Sequence, residues 1–431
     1  MQQRPNIPGG RRPLSPRQRY EALRRRRRQN MIAIAAMALV AAVLVTAVVL
    51  ILRPRAPKDV AAATAVEATA EPVEVTAEPT GAPGYSGPLR SVRLRVVGDI
   101  MMCKGNLKYA KKLKYDFHDQ FSMVADLLAN ADYTMGNMEG TVGKYNKSAY
   151  SGYPQFNCPE TVLEALKDDG IDFLTLANNH MLDRWTGGLL NTVNWVEQYG
   201  FDHVGGYRTQ EEKDAPVIYE VGNIKFGFLA YTHSTNTMER TTDAEGVALV
   251  PYIHQANFKA DVKKLRDAGA EVIVAWPHWG KEYVRDPDST QKKYAKKLAE
   301  AGVDIILGSH SHIVQPMGFQ TVTRDDGTVH DVFTIFSLGN FISDHVKQYC
   351  DNGVILDLTV NERADGSFTV DDVGYIPTYT WKQGGGIRVM PSGPYLQTRP
   401  SGMDDANYQR MVEGYNEIVE ALGTNYRILD R

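Results

Sequence analysis

The chain has 431 residues, 43% of them hydrophobic, and a formal net charge of −3, enough to bury one large or two medium cores. That total hides a split. Of 48 basic and 51 acidic residues, 13 and one (Glu21) fall in residues 1–58, which leaves 35 basic against 50 acidic beyond and a net of −15. An acidic main body argues against nucleic acid as a partner and against drawing in a polyanion by bulk field, although a local basic groove would not show in this sum.

Three stretches precede any fold. Residues 1–30 carry ten arginines, ending in Arg24 to Arg28, and read as a basic cytoplasmic tail. Residues 31–52 contain no charge, and 22 residues at about 1.5 Å each suffice to cross a hydrocarbon core of about 30 Å. The run exceeds the roughly 7–15 apolar residues of a signal-peptide core, and no small-residue cleavage motif follows. The arginine excess before it, against Arg53, Arg55 and Lys58 after it, predicts a single-pass transmembrane anchor in the cell membrane. The N-terminus would be cytoplasmic and the main domain extracytoplasmic. Residues 53–90, rich in Ala, Thr, Val, Glu and Pro, read as a disordered linker.

From Ser91 the pattern alternates strand and helix. Strands are predicted at 92–97, 173–177, 224–231, 272–276 and 303–307, and helices at 121–130, 161–167, 192–199, 258–268 and 290–301. This alternation predicts an α/β domain over 91–380 with a largely parallel central sheet. Beyond Phe336, residues 354–360 and 368–375 alternate with no helix between them, which suggests antiparallel strands in a second layer. Residues 381–431 read as a C-terminal elaboration of the same domain, with one helix over 404–421. Cys103, Cys158 and Cys350 are too few for a disulfide framework, and one bridge among them is left open. Cys103 reads as a packing residue.

The strands end in polar residues. Val303 to Leu307 runs into Gly308-Ser-His310-Ser-His312, where i and i+2 spacing in extended backbone sends both imidazoles to one side. Other ends bring Asp99, then Asn137 and Glu139, then Asn178, Asn179 and His180, then His278 with Glu282, and finally Asn340. Open α/β sheets carry ligand sites at this edge. Carboxylate, amide and imidazole together suit a divalent Zn, Mn or Fe ion. The expected ligands are Asp99, Glu139, Asn179, His278, His310 and His312, with Asn137, Glu282 and Asn340 as orienting groups. His180, with Asp183 at i+3, is expected to be a proton donor, because adjacent Asn179 and His180 point in different directions. His118, His203, His233, His254, His330 and His345 lie off these ends and are expected to be structural or surface groups.

Gly98-Asp-Ile-Met101, Gly136-Asn-Met-Glu-Gly140, Ala177-Asn-Asn-His180, His278-Trp-Gly-Lys-Glu-Tyr283, Gly308-Ser-His-Ser-His312 and Ser337-Leu-Gly-Asn-Phe341 together resemble the CapA (PgsA) family. Those are membrane-anchored proteins of capsule and poly-γ-glutamate synthesis. The resemblance implies a branch of the calcineurin-like metallophosphoesterase fold, a four-layer sandwich with a dinuclear site. That fold's first motif is Asp-x-His and its second Gly-Asp-x-x-Asp. Here Asp99 is followed by Ile100 and Met101, and Gly136-Asn137-Met138-Glu139 offers one carboxylate, which implies one ion in place of two.

Three functions stay open. The protein could act in capsule or poly-γ-glutamate production or export through metal-assisted hydrolysis or transfer on an anionic polymer, a glutamyl substrate or a phosphoester. It could be a non-catalytic scaffold of a membrane synthase complex. It could also be a cell-surface metallophosphoesterase.

Overall fold

In the computed structural model, Val272, Val274 and Trp276 of strand β9 (Val272–His278) turn to one side and Ile273 and Ala275 to the other, and all are buried. A strand apolar on both faces must be covered on both, and this need sets the layers. The structure describes residues 89–144, 149–324 and 327–430. The basic tail, the predicted span and nearly all of the linker lie outside them. Among the described residues no helix is long and apolar enough to cross a membrane.

Two sheets face each other. The first runs β16 (Gly386–Pro391), β15 (Phe368–Gln383), β14 (Asn352–Glu362), β1 (Ser91–Ile100), β2 (Tyr133–Met138), β5 (Phe173–Thr175) and β6 (Asp202–Val204). In addition β13 (Asn340–Ile342) lies beside the end of β1, and β17 (Arg427–Ile428) beside β15. The second sheet runs β11 (Val314–Thr323), β12 (Val329–Leu338), β10 (Ile305–Leu307), β9, β8 (Ile224–Thr232) and β7 (Val217–Val221). A separate pair joins β3 (Thr141–Val142) to β4 (Asn157–Cys158).

Val92, Leu94 and Val96 of β1 and Leu356 and Leu358 of β14 meet Phe226, Phe228, Val274, Ile305 and Phe333 between the sheets. Helices Thr161–Asp168 and Trp185–Gln198 cover the outer face of the first sheet through Leu163, Leu166, Leu189 and Val193. Helices Phe258–Asp267 and Ser289–Ala301 cover the second through Val262, Leu265 and Leu298. The layers are helix, sheet, sheet, helix.

Three expectations need correction. The parallel strands are divided between two sheets instead of forming one. β14 and β15 extend the first sheet instead of building a second layer, and the reason lies in charge. Arg95 of β1 stands directly opposite Asp357 of β14, Nε to Oδ2 at 2.8 Å with both side chains buried. A slip in register would bury each charge alone. The helix predicted over 121–130 is two short turns, His118–Phe121 and Ala125–Leu128. No bridge joins the cysteines either, since Cys103, Cys158 and Cys350 are all free and buried.

Asp304, just before β10, ties the second sheet to its helices. Its carboxylate takes the Ile273 amide N–H at 2.7 Å, Arg266 at 2.8 Å and Arg324 at 2.7 Å, and His330 lies 3.1 Å away. Burial alone would raise its pKa, but His330, Arg266, Arg324 and the Ile273 amide together hold it well below the usual carboxylate range. A depressed folded-state pKa contributes stability that is present above the unfolded value of about 3.9 and lost as pH falls through the folded one. Asp304→Asn should therefore lower the unfolding free energy by about 3 kcal/mol near neutrality. In denaturant titrations the gap to the parent should close as pH falls below about 4; a gap independent of pH would assign the loss to packing.

Candidate metal centre

Parallel register brings the strand ends level. Asp99 pairs with Asn137 on one side and Asn340 on the other, while His278 is flanked by Thr232 and by Ser309. The neighbouring backbones approach so closely that a Cβ at Gly98 would strike the Gly339 carbonyl, and one at Gly308 the Phe336 carbonyl. Past Gly308 the chain turns sharply. His310 and His312 both hold positive φ, 94° and 58°, a conformation non-glycine residues rarely keep outside functional sites.

Around His278 the donors converge. Its Nε2 lies 2.9 Å from Asn179 Oδ1, 3.1 Å from His310 Nδ1 and 3.7 Å from Glu139 Oε1. Candidate ligand atoms of Asp99, Glu139 and His278 lie within 4.8 Å of one another. Nitrogen and oxygen ligands at about 2.1 Å from an ion sit about 3.0–3.4 Å apart in octahedral or tetrahedral geometry, so the spacing fits. Two further observations bear on the fit. Both oxygens of Glu139 are buried with no hydrogen-bond partner among the described residues. Burial and the neighbouring Asp99 charge push its pKa well up, a penalty that a cation would reverse. His278 and His310 are driven well below the ordinary imidazole range, first by burial and then by the surrounding imidazoles, so both stay neutral and offer lone pairs. The residues present fit a divalent ion.

The supporting contacts orient these donors. His278 Nδ1 meets Ser309 Oγ at 2.9 Å, which holds the ring with Nε2 turned toward Asn179 and Glu139. His312 Nδ1 faces Asn340 Oδ1 at 3.0 Å and Asp99 Oδ2 at 3.5 Å. Asn137 donates to Asp99 Oδ1 at 2.7 Å, and the His310 backbone N–H to Oδ2 at 3.2 Å. Asn179 donates to Asn236 Oδ1 at 3.3 Å, which leaves its own Oδ1 toward His278. Glu282 needs correction: it is exposed in the turn after β9, and both ring nitrogens of His278 are engaged elsewhere, so Ser309 has the orienting place expected of it.

His180 stands beside the cluster. Its Nδ1 meets Asp183 Oδ2 at 2.7 Å, the same oxygen accepts the Phe156 N–H at 2.6 Å, and the Phe156 ring packs edge-on to the imidazole at 4.6 Å. Burial raises the Asp183 pKa by more than His180 and the Phe156 amide lower it. His180 Nε2 faces the exposed Asn236 amide at 3.3 Å.

Two histidines expected to be structural lie against the site. The His233 ring is 4.3 Å from that of His310, and the His345 ring 4.8 Å from that of His312. His233 directly follows the end of β8, and His345 lies three residues past β13, so both obey the strand-end pattern that the expectation did not extend to them. Asn236 and Ser309 were also not singled out, although Ser309 lies inside the histidine motif itself.

A family model described as bacterial capsule synthesis protein PGA_cap matches residues 93–345, a segment that contains the whole cluster. The chain is 28% identical over 258 residues to the capsule biosynthesis protein CapA of Bacillus anthracis, covering 58% of this chain and 59% of that protein. It is 27% identical over 288 residues to the PGA biosynthesis protein CapA of Bacillus subtilis, covering 64% and 70%. Among solved structures, Haemophilus influenzae NAD nucleotidase (NadN) aligns at a TM-score of 0.40 and 11% identity, over 79% of this chain and 58% of that one.

If a cation answers the Glu139 charge, Glu139→Gln should behave oppositely in two states. Stripped of metal, the variant should melt at or above the parent, because an unpartnered buried carboxylate costs about 1–3 kcal/mol. With Mn2+ or Zn2+ added, only the parent should gain stability. A parent indifferent to both ions would remove the metal from this site.

Proposed function

The chain belongs to the bacterial capsule synthesis protein family PGA_cap, and we propose that it serves capsule or poly-γ-glutamate production outside the cell membrane, held there by residues 31–52. On this reading the strand-end cluster is a metal-dependent hydrolase or transferase site, of the kind the likeness to calcineurin-like metallophosphoesterases implies. The observation that carries the proposal is Glu139, buried without a partner opposite His278 Nε2, Asn179 Oδ1 and His310 Nδ1.

Asp99, Glu139, Asn179, His278 and His310 would hold the ion, with His312 beside them. A divalent ion supplies Lewis-acid polarisation of a carbonyl or phosphoryl oxygen and activation of water. The protein's own residues do the rest. Ser309 and Asn236 fix the donor faces of His278 and Asn179. Asp183 holds Nδ1–H of His180, so that Nε2 is the nitrogen turned outward to pass a proton to the leaving group. Phe156 fixes that pair through its amide and its ring. A scaffold reading has one observation in its favour: Met101, which stands where the wider fold carries a histidine, is buried against Cys103 and Phe156.

With metal-loaded full-length protein, turnover of poly-γ-glutamate should exceed that of a simple phosphodiester. His180→Gln should lower it about 10²–10⁴-fold with metal content unchanged. Loss of metal in that variant would move His180 among the ligands. No turnover of either substrate, with wild-type polymer output from the variant in a complemented capsule-deficient host, would favour the scaffold. For the anchor, an alkaline-phosphatase fusion after residue 90 should be active and a cytoplasmic reporter there silent; the reverse pattern would place the domain inside.

A further inference from the structure

A cleft of about 490 Å³ has a lining that includes Lys104, Tyr150, Ser151, Tyr153, Gln155 and Arg184, two of which adjoin the residues of the His180–Asp183 assembly in the chain. Its walls continue the proton-donor assembly. Arg184 directly follows Asp183, and Gln155 directly precedes Phe156, whose amide and ring hold Asp183 and His180. Two cations face this space in a domain that is otherwise strongly acidic.

Arg184 is unusual among the part-buried arginines. Arg90 sits on Glu271, Arg324 on Asp304 and Arg410 on Asp351. Arg184 instead donates only to neutral acceptors, the Asp183 carbonyl at 2.9 Å, Gln155 Oε1 at 3.3 Å and Ser151 Oγ. A fourth contact, to the Gln155 carbonyl at 3.3 Å, is neutral too, and Lys104 on the same cleft is exposed. The guanidinium is thus positioned by neutral polar contacts, and the neighbouring Asp183 carboxylate, bonded to His180 and the Phe156 amide, acts on it only at longer range. Charge-assisted bonds from such a fork favour carboxylate or phosphate. The rest of the lining separates the two. Leu107, Tyr150, Pro154 and the 65%-exposed Tyr153 give apolar walls, which suit the methylenes between carboxylates of a glutamyl chain better than a bare oxyanion.

We infer that this cleft is a carboxylate subsite, in which Arg184 and Lys104 receive a pendant α-carboxylate of the γ-linked polymer near the bond presented to His180. The inference rests on the polymer reading above and names how that substrate is held. It also meets the acidic main body, which repels a polyanion as a whole, with a local exception.

The test is calorimetry on the full-length protein with a γ-linked glutamate hexamer, its counterpart with the α-carboxylates amidated, and inorganic tripolyphosphate. Lys104→Gln and Arg184→Gln should each weaken binding of the hexamer about tenfold, Arg184→Lys should recover part of the loss, and metal content should stay constant. The amidated hexamer should bind parent and variants alike. Equal hexamer affinity in parent and variants would overturn the subsite and leave the polymer reading standing. Arg184-dependent binding of tripolyphosphate alone would overturn both the carboxylate assignment and the polymer. Binding of neither anion would overturn both as well.

Discussion

One electrostatic demand governs the strand ends: Asp99 and Glu139 are buried side by side, and only Asp99 has partners. A buried carboxylate must either take up a proton or find a cation. The neighbours favour the cation. A protonated Glu139 could share its proton only with Asp99, whose oxygens already accept from Asn137 and the His310 N–H, since His278 Nε2 at 3.7 Å lies beyond hydrogen-bond reach. An ion seated between the two would satisfy both at once. His278 and His310, both driven toward the neutral form by burial and by neighbouring imidazoles, add no positive charge of their own to offset the two carboxylates.

The fold that meets this demand uses the same alternation for stability and for chemistry. Along β9, Val272, Val274 and Trp276 fill the space between the sheets while Ile273 and Ala275 meet the outer helices; one step later, at the end of the strand, the periodicity delivers His278. β1 does likewise with Val92, Leu94 and Val96 before Asp99. Because the donors come from both sheets, the packing between sheets sets the distances between ligands. The close approaches at Gly98 and Gly308 then fix the level at which the strands stop.

Much of this was legible in the sequence because polar residues at the ends of apolar strands break a strong pattern. Asp99, Glu139, Asn179, His278 and His310 stand out for that reason, as does the i, i+3 relation of His180 and Asp183. What depends on the third dimension did not show. Nothing local reveals that β14 pairs with β1, since its register is set by Arg95 and Asp357, more than 260 residues apart. His233 follows the predicted strand 224–231 by two residues and could have been read as a strand-end group, whereas His345 lies past the short β13, which the periodicity did not reveal. Glu282 had the right spacing from His278 for a helix, but the chain there is a turn and the glutamate faces solvent. Ser309 could not be told from any loop serine until its bridge to His278 placed it beside the ring.

The departure at Met101 joins these threads. A thioether is a poor ligand for a hard ion, so the second residue after Asp99 adds nothing to a metal shell. Met101 is buried instead with Cys103 and Phe156, and Phe156 braces both members of the His180–Asp183 pair. Met101 thus packs against the residue that braces this buried pair. The remaining nitrogen and oxygen donors gather most densely on the His278 side, while His312 is held by Asn340 at 3.0 Å. The cluster is therefore asymmetric, with its donors densest around His278 and the His180–Asp183 pair bonded beside them.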